Sequence, residues 1–170
     1  MRIVHVSPAD IQGGAARGAY GLHRALRDLG LDSIMLVQRK YSDDASVVAK
    51  RGERGKVVAG LRERLDRLPL NFYRWEQENW WTVGWMPYDL RDAVDRLAPD
   101  LIHFHGAGRG AAPIETLAQL RRYPMVWTLR DLWALTGGCH YTSGCERYLE
   151  GCGTCPQLGS RNTADLSRWH

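Results

Sequence analysis

The chain has 170 residues, of which 44% are hydrophobic, which is enough to bury the core of one ordinary domain but leaves little room for a two-domain enzyme. No apolar stretch approaches the length of a membrane-spanning helix, and no recognisable nucleic-acid-binding module accompanies the modest net charge of +4. All but three of the 23 basic residues are arginine. The planar guanidinium suits phosphates and carboxylates, although genome composition and solvated faces explain such a bias equally well.

The N-terminal segment predicts a strand, a helix and a second strand. Residues 2–7 form an apolar run typical of a buried strand, and Ser33–Val37 forms another. Between them lies a segment whose apolar residues recur every three or four positions, as in an amphipathic helix, and Gly30 follows as a C-cap glycine would. Those apolar residues are Ala15, Ala19, Leu22, Leu26 and Leu29. The order predicts a βαβ unit of a parallel sheet.

The turn before this helix contains Gly13 and Gly14. Two residues without side chains let the backbone approach a ligand closely, and the helix start favours an anion. Glycines also serve any tight turn between a strand and a helix, and the GxGxxG spacing of dinucleotide-binding folds is absent. We therefore treat Gly13 and Gly14 as candidate substrate-binding residues.

Residues 40–87 predict a helical and aromatic excursion from this pattern. Lys50–Arg67 carries seven basic and three acidic residues on a predicted helix, and six aromatic residues follow. They are Phe72, Tyr73, Trp75, Trp80, Trp81 and Trp85. Basic residues beside tryptophans suit an anionic membrane surface. The alternative, which we favour, is that the aromatic rings pack onto the sheet edge or a partner domain.

A second alternating unit follows. Tyr88–Leu97 predicts a helix, Leu101–Phe104 a strand, residues 113–121 a helix and Met125–Leu129 a strand. Strands that alternate with helices predict an α/β fold with one doubly wound, Rossmann-like parallel sheet. We expect a single domain that spans residues 1–170.

Polar residues follow the strands of this second unit. His103 and His105 alternate on one strand and thus share a face. Ligands of such sheets bind beyond the carboxyl ends of the strands, which singles out His105 as a candidate catalytic residue. A satisfied buried histidine is the alternative for His105 and the better explanation for His103. Arg130 and Asp131 follow the next strand, where Arg130 suits a phosphate or carboxylate and Asp131 a catalytic base. A local ion pair, or an N-cap at Asp131, is the structural alternative.

Every cysteine lies in residues 136–158, in the spacing C-x5-C-x6-C-x2-C. Four thiolates can bind one structural zinc ion, with His140 as a possible substitute ligand, and an iron–sulfur cluster is a more distant option. Two disulfides or free thiols are the alternatives. Residues 1–12 lack the pattern of a signal peptide, which favours a cytoplasmic location and thus the metal. The candidate ligands are Cys139, Cys145, Cys152 and Cys155.

Three segments together resemble the N-terminal half of a family 4-type, GT-B-fold glycosyltransferase of bacterial capsule, exopolysaccharide and colanic-acid biosynthesis. They are RIVHVSPADIQGGAARGAYGLHRALRDLG, PDLIHFHG and VWTLRDLWALTGGCHYTSGCERYLEGCGTCPQL. The resemblance runs over nearly the whole chain. The glycine turn and the HxH strand recur widely in such enzymes, whereas the TGGCHY to CGTCPQ segment marks a narrower subgroup.

The resemblance implies an acceptor-binding domain that faces a second, donor-binding Rossmann-like domain across a cleft. Gly13 and Gly14 match the glycine loop that faces donor phosphate and acceptor, and His105 matches a cleft-facing histidine. Many members carry histidine at the position of Arg130. The partners implied are a nucleotide-sugar donor and a glycan or lipid-linked acceptor, with no catalytic metal.

The chain ends at residues 159–170, before a second domain could follow. We therefore expect half of an enzyme, inactive without a missing or separately encoded donor-binding domain. It would lie in the cytoplasm, with peripheral contact to the inner face of the membrane. A non-catalytic, metal-stabilised module that binds proteins or membranes is the alternative.

Overall fold

A parallel sheet of five strands forms the centre of the computed structural model, which describes residues 1–50, 54–75, 80–106 and 113–169. All paired strands run parallel, in the order β3-β2-β1-β4-β5. The strands are β1 (Arg2–Ala9), β2 (Asp32–Arg39), β3 (Val47–Ala49), β4 (Leu101–Phe104) and β5 (Met125–Trp127). The prediction that four strands share one parallel sheet is confirmed. The short strand β3 was not predicted.

The described residues contain four α-helices that connect or follow the strands: α1 (Gly14–Asp28), α2 (Arg54–Asp66), α3 (Arg91–Leu97) and α4 (Ile114–Gln119). The end of α1 is as predicted, because Gly30 adopts a φ of 81° just after the C-cap residue. Helix α3 begins later than predicted, because the Asp89 carboxylate accepts from the Arg91 N–H and forms a local turn just before the helix. Residues 51–53, part of the predicted basic helix, lie outside the described residues.

Helices cover both faces of the sheet, as a doubly wound fold requires. On one face, Ala19 of α1 packs against Met35 and Val37 of β2. On the other face, α3 and the segment before it pack against the alternate residues of three strands. The buried apolar residues of this larger core are Val4, Val6, Leu36, Tyr88, Leu90, Ala93, Val94, Ile102, Phe104, Leu120 and Trp133. The expected Rossmann-like α/β architecture is therefore present.

A second, smaller core joins the aromatic segment to the cysteine-rich segment. Its buried members are Leu70, Trp81, Val83, Cys155 and Leu158. An antiparallel bridge between Trp81 and Cys139 aligns the two chain segments. Several of the predicted aromatic residues thus pack internally, whereas Phe72, Trp80 and Trp85 remain exposed.

The strand β5 forms an open edge of the sheet. It ends at Trp127, earlier than predicted, and Met125 and Val126 are exposed rather than buried. The carboxyl end of β5 nevertheless lies beside that of β4, because Phe104 pairs with Trp127. Residues that follow β5 are therefore brought beside residues that follow β4.

Candidate functional site

The residues predicted from the strand ends meet at the place where the sheet reverses its winding. Strands β1 and β4 are neighbours there, and the N–H of His105 donates to Val6 O at 2.9 Å. Ligands of open α/β sheets bind at this reversal, beyond the carboxyl ends of the strands. Arg130 arrives from the end of β5, and its Nη2 lies 3.3 Å from His105 Nδ1. The predicted pair His105 and Arg130 is thus in direct contact.

Three histidines of two neighbouring strands form one cluster on the face that α1 covers. His5 of β1 is in register with His103 of β4, and the ring centroids of His103 and His105 are 4.0 Å apart. His5 Nδ1 lies 2.9 Å from His105 Nε2. His5 and His105 are almost completely buried, whereas His103 is half-buried and bonds Thr128 Oγ1 at 2.8 Å through its Nε2. The shared face of His103 and His105 is as predicted.

The contact with Arg130 fixes the protonation pattern of this chain of rings. A guanidinium can only donate, so His105 Nδ1 accepts the bond from Arg130. The proton of neutral His105 then lies on Nε2 and is donated to His5 Nδ1. Neutral His5 must therefore carry its own proton on Nε2. That buried atom has no partner among the residues that the structure describes.

Both buried rings are neutral at neutral pH. Burial, followed by the nearby rings of His103 and His23, lowers the pKa of His5 to about 4. Burial and the nearby His103, His5 and Arg130 lower the pKa of His105 to about 3. The exposed guanidinium of Arg130 is therefore the charged group of this cluster, and the site presents a cation backed by neutral rings.

The three histidines also have the spacing of a metal site, since one nitrogen from each lies within 4.8 Å of the others. The bonding pattern opposes this use. The shortest pair, His5 with His105, already shares a hydrogen bond, and Arg130 places a positive charge on the cluster. A cation would have to displace both interactions, whereas an anion would pair with Arg130 directly. The arrangement is suited to a phosphate or a carboxylate.

Helix α1 provides the surface on which Arg130 lies. A Cβ on Gly18 would come 3.1 Å from Arg130 Nη1 and 3.5 Å from its Cζ, so the guanidinium packs directly against the helix backbone. Gly14 is one turn earlier and shares that side of the helix. Gly13 has a φ of 92°, a conformation that favours glycine, and a Cβ on Gly13 or Gly14 would meet open space. The predicted glycine turn thus lies at the start of the same helix against which Arg130 packs.

The predicted base Asp131 has different neighbours. Its Oδ1 accepts from the Trp133 N–H at 3.0 Å, and its Oδ2 accepts from His140 Nδ1 at 2.7 Å. Burial raises the pKa of Asp131, but the bonds from His140 and Trp133 outweigh this and hold the pKa below its usual value. With both oxygens engaged, these contacts favour the structural alternative for Asp131.

His140 belongs to the bonded set Asp131–His140–Thr82, which we call the brace, and not to the cysteines. Its second ring nitrogen, Nε2, lies 2.8 Å from Thr82 Oγ1, so both nitrogens are occupied. His140 therefore cannot substitute as a metal ligand without breaking the brace. The four cysteines lie beyond it, around one cavity of the second core.

Sequence reasoning missed His5 and Gly18. A histidine at the centre of an otherwise apolar strand is a detectable signal, because a buried polar side chain needs a partner. Gly18 gives no such signal, since a glycine inside an amphipathic helix predicts only weaker helix formation. Its role depends on a side chain 112 positions later in the chain.

Comparisons with known proteins agree with this geometry. Residues 12–151 match the family described as Glycosyltransferase Family 4. A stretch of 46 residues is 44% identical to a protein of Escherichia coli (strain K12) described as "Putative colanic acid biosynthesis glycosyl transferase WcaC". That stretch is 27% of this chain and only 11% of the E. coli protein. No solved structure matches the chain.

The family match covers 140 of the 170 residues, from the glycine turn through most of the cysteine-rich segment. It includes Gly13, Gly14, Gly18, His105 and Arg130. The parallel sheet agrees with the Rossmann-like half of a GT-B fold, which the sequence resemblance had implied. The chain belongs to glycosyltransferase family 4.

Proposed function

We propose that the chain is the acceptor-binding half of a glycosyltransferase of surface-polysaccharide biosynthesis. The observation that carries this proposal is the exposed Arg130 at the winding reversal, held between Gly18 and the buried His105. Family membership supports the reaction class. The stretch shared with the putative colanic acid enzyme supports the polysaccharide context.

In the proposed reaction, the bond between the sugar and the donor diphosphate breaks and the nucleoside diphosphate leaves. An acceptor oxygen forms the new bond to the sugar, and its proton passes to the departing diphosphate or to water. Arg130 would pair with an anionic group, either the donor phosphate or a charged acceptor. The amides of the turn at Gly13 and Gly14 would contribute further donors. His105 would act through Arg130, because its own nitrogens are engaged and its ring is buried.

The second wall of the cleft would come from a donor-binding, Rossmann-like domain, either separately encoded or elsewhere in the same polypeptide. Positioning of two reactants in one closed site can lower a barrier by roughly 7–11 kcal/mol. The 170-residue chain alone should therefore bind anions weakly and should not turn over.

The test compares Arg130→Gln with Arg121→Gln in transfer assays that include a donor-binding domain, nucleotide-sugars and lipid-linked acceptors. Arg121 is exposed just after α4. Arg121→Gln therefore removes one exposed positive charge away from the site and is the matched control. We expect Arg130→Gln to lower kcat/KM by at least about tenfold, the effect of one lost charged hydrogen bond, and Arg121→Gln to leave it unchanged. Equal activity of the two variants would refute the role of Arg130, and robust transfer by the chain alone would refute the half-enzyme proposal.

We also propose a peripheral membrane contact at α2 and the 3-10 turn Leu68–Phe72 that follows it. Val57 and Leu61, one helical turn apart, are exposed by 75% and 56%, and Phe72 is exposed by 90%. Arg64 is exposed on the same helix. No described helix is long and apolar enough to cross a bilayer, so this surface would lie on the headgroups. Such a contact would bring the site close to a lipid-linked acceptor.

Vesicle sedimentation tests this contact. The chain should bind vesicles that contain anionic phosphatidylglycerol more strongly than neutral phosphatidylcholine vesicles, and added salt should weaken the binding. The double variant Val57→Ser with Phe72→Ser should lose most of it. Leu29→Ser is the control, because Leu29 is equally exposed (77%) but lies at the end of α1. Binding that is independent of lipid charge and of these variants would rule the contact out.

A further inference from the structure

The four cysteines surround one cavity in the second core, although no single helix or strand carries them. The cavity is also lined by Trp81, Gly137 and Ser167. All four side chains are free thiols in the structure, three of them half-buried and Cys155 buried. The folding of this one cysteine-rich segment thus places all four cysteines on the wall of one cavity.

A backbone N–H group donates to one of these sulfurs. The N–H of Gly137 donates to Cys152 Sγ at 3.3 Å. A thiol is a weak acceptor, whereas a thiolate gains strongly from such a donor. The backbone at Gly137 is therefore placed where it would stabilise a metal-bound thiolate of Cys152.

The turn that carries this pair is conformationally costly. Cys152, Gly153 and Thr154 all have positive φ values, of 58°, 95° and 49°. For the two residues with side chains, this region costs roughly 1–2 kcal/mol each. The turn is held by bonds from the Gly153 N–H to Ser167 Oγ and from the Cys155 N–H to Asp165 Oδ2. The result is that both cysteines of the CxxC pair face the same cavity.

The surrounding segment has little regular structure that could offset this cost. From Thr136 to Trp169, the described chain contains short 3-10 helices but no α-helix and no strand. To the second core it contributes the buried Cys155 and Leu158. Ordering such a segment costs roughly 1–2 kcal/mol for each residue fixed, and metal ligation is a sufficient source of compensating free energy.

We propose that Cys139, Cys145, Cys152 and Cys155 bind one zinc ion in a structural, all-thiolate site. Zinc–sulfur bonds of about 2.3 Å place the sulfurs of a tetrahedral site roughly 3.8 Å apart. In the structure the sulfurs are spread more widely around their cavity than the histidine nitrogens of the other cluster. Rotation about the side-chain Cα–Cβ bonds is the movement that would close the set around the ion.

The first experiment measures metal and thiols on the purified 170-residue chain, prepared without chelators. Elemental analysis should find about one zinc per chain, with no bound iron. Alkylation of the unfolded protein without reductant should modify all four cysteines. A mass lower by two hydrogens per pair, with no alkylation, would establish disulfides and overturn the proposal. Four alkylated thiols without bound metal, or a coloured iron–sulfur protein, would overturn it as well.

Cobalt substitution and variants assign the ligands. Cobalt-loaded protein should show the absorption of tetrahedral thiolate coordination, and a change of that absorption in Cys152→Ser would identify that ligand. Cys145→Ser is the second test. Because three thiolates remain in either single variant, the zinc should bind more weakly in both. His103→Ala is the matched control for the histidine cluster and should retain the zinc. Retention of zinc in both cysteine variants, with loss in His103→Ala, would place the metal on the histidines instead.

Discussion

The guanidinium of Arg130 packs against Gly18, where α1 meets the segment that follows β5. A single added methyl group would sit 3.1 Å from Nη1, closer than a relaxed contact. Arg130 is thus held from one side by backbone and from another by the buried imidazole of His105. Its orientation is a property of the helix as much as of its own strand.

Substitution of Gly18 should therefore separate binding from stability. Gly18→Ala and the control Gly21→Ala both add a methyl group to α1, and Gly21 has open space at that position. Each should gain up to about 1 kcal/mol of helix stability, partly cancelled at Gly18 by displacement of Arg130. Titration with inorganic phosphate or a nucleoside diphosphate should show weaker binding only for Gly18→Ala. Equal affinities of the two variants for phosphate would contradict the inference that Gly18 positions the Arg130 guanidinium.

Substitutions of the adjacent residues Arg130 and Asp131, which follow β5, should change different properties: anion binding for Arg130 and stability for Asp131. Arg130→Gln should weaken anion binding with little change in unfolding free energy, because Arg130 is exposed. Asp131→Asn should lower the unfolding free energy by roughly 1–3 kcal/mol, because it weakens the bond to buried His140. Urea unfolding and phosphate titration of both variants check this pair. A stable Asp131→Asn variant that loses transfer activity in the assay with a donor-binding domain, where the wild-type chain is active, would restore the catalytic role predicted from the sequence.

The buried histidines should make the fold sensitive to mild acid. The unfolded chain takes up protons near pH 6.5, whereas His5 and His105 in the folded protein do so only near pH 4 and 3. Burial also lowers the pKa of His23 and His103. The unfolded state thus binds more protons in this window, and stability must fall as the pH falls from about 6.5.

The free energy of unfolding should change by about 1.4 kcal/mol per pH unit for each additional proton that the unfolded state binds. Urea unfolding at several pH values between 6.5 and 5 measures the slope above the range in which most carboxylates titrate. His5→Gln should reduce the slope by about one proton. A slope of zero in the wild-type chain would show that the rings are protonated in the folded state.

Gly138 should be intolerant of any side chain. Its φ is 126°, and an added Cβ would overlap the indole of Trp81. Gly144→Ala is the control, because its φ of 83° carries a similar backbone cost while its Cβ would meet open space. We expect Gly138→Ala to cost about 2–4 kcal/mol, from overpacking and strain together, and Gly144→Ala clearly less. Comparable unfolding free energies would mean that Trp81 can move aside.

Much of the sheet could be predicted because its strands and helices alternate with clear periodicity. β3 could not, since a three-residue strand has no periodic pattern and is set by tertiary contacts such as the bond from Met35 N–H to Ser46 O. The same distinction applies to the site. Strand ends identified His105 and Arg130, and the pairing of β4 with β5 then brought them together.

Contacts between distant segments were beyond sequence reasoning. The bond between Thr82 and His140 joins residues 58 positions apart, and no local pattern indicates it. The polarity of Asp131 suggested chemistry, but its oxygens serve this long-range brace. Likewise, the aromatic run gave no sign that Trp81 would pair with Cys139. In each case, the partner was chosen by the packing of the second core.

One peptide bond separates Arg130, which faces the histidines, from Asp131, which is clasped by His140. His140 directly follows a cysteine and is bonded to Thr82, which lies between two members of the second core. The backbone at the tip of β5 therefore has one anchor on each side, and neither side chain can be re-aimed without turning the other. Disorder in the cysteine-rich segment should consequently also change the position of the Arg130 guanidinium.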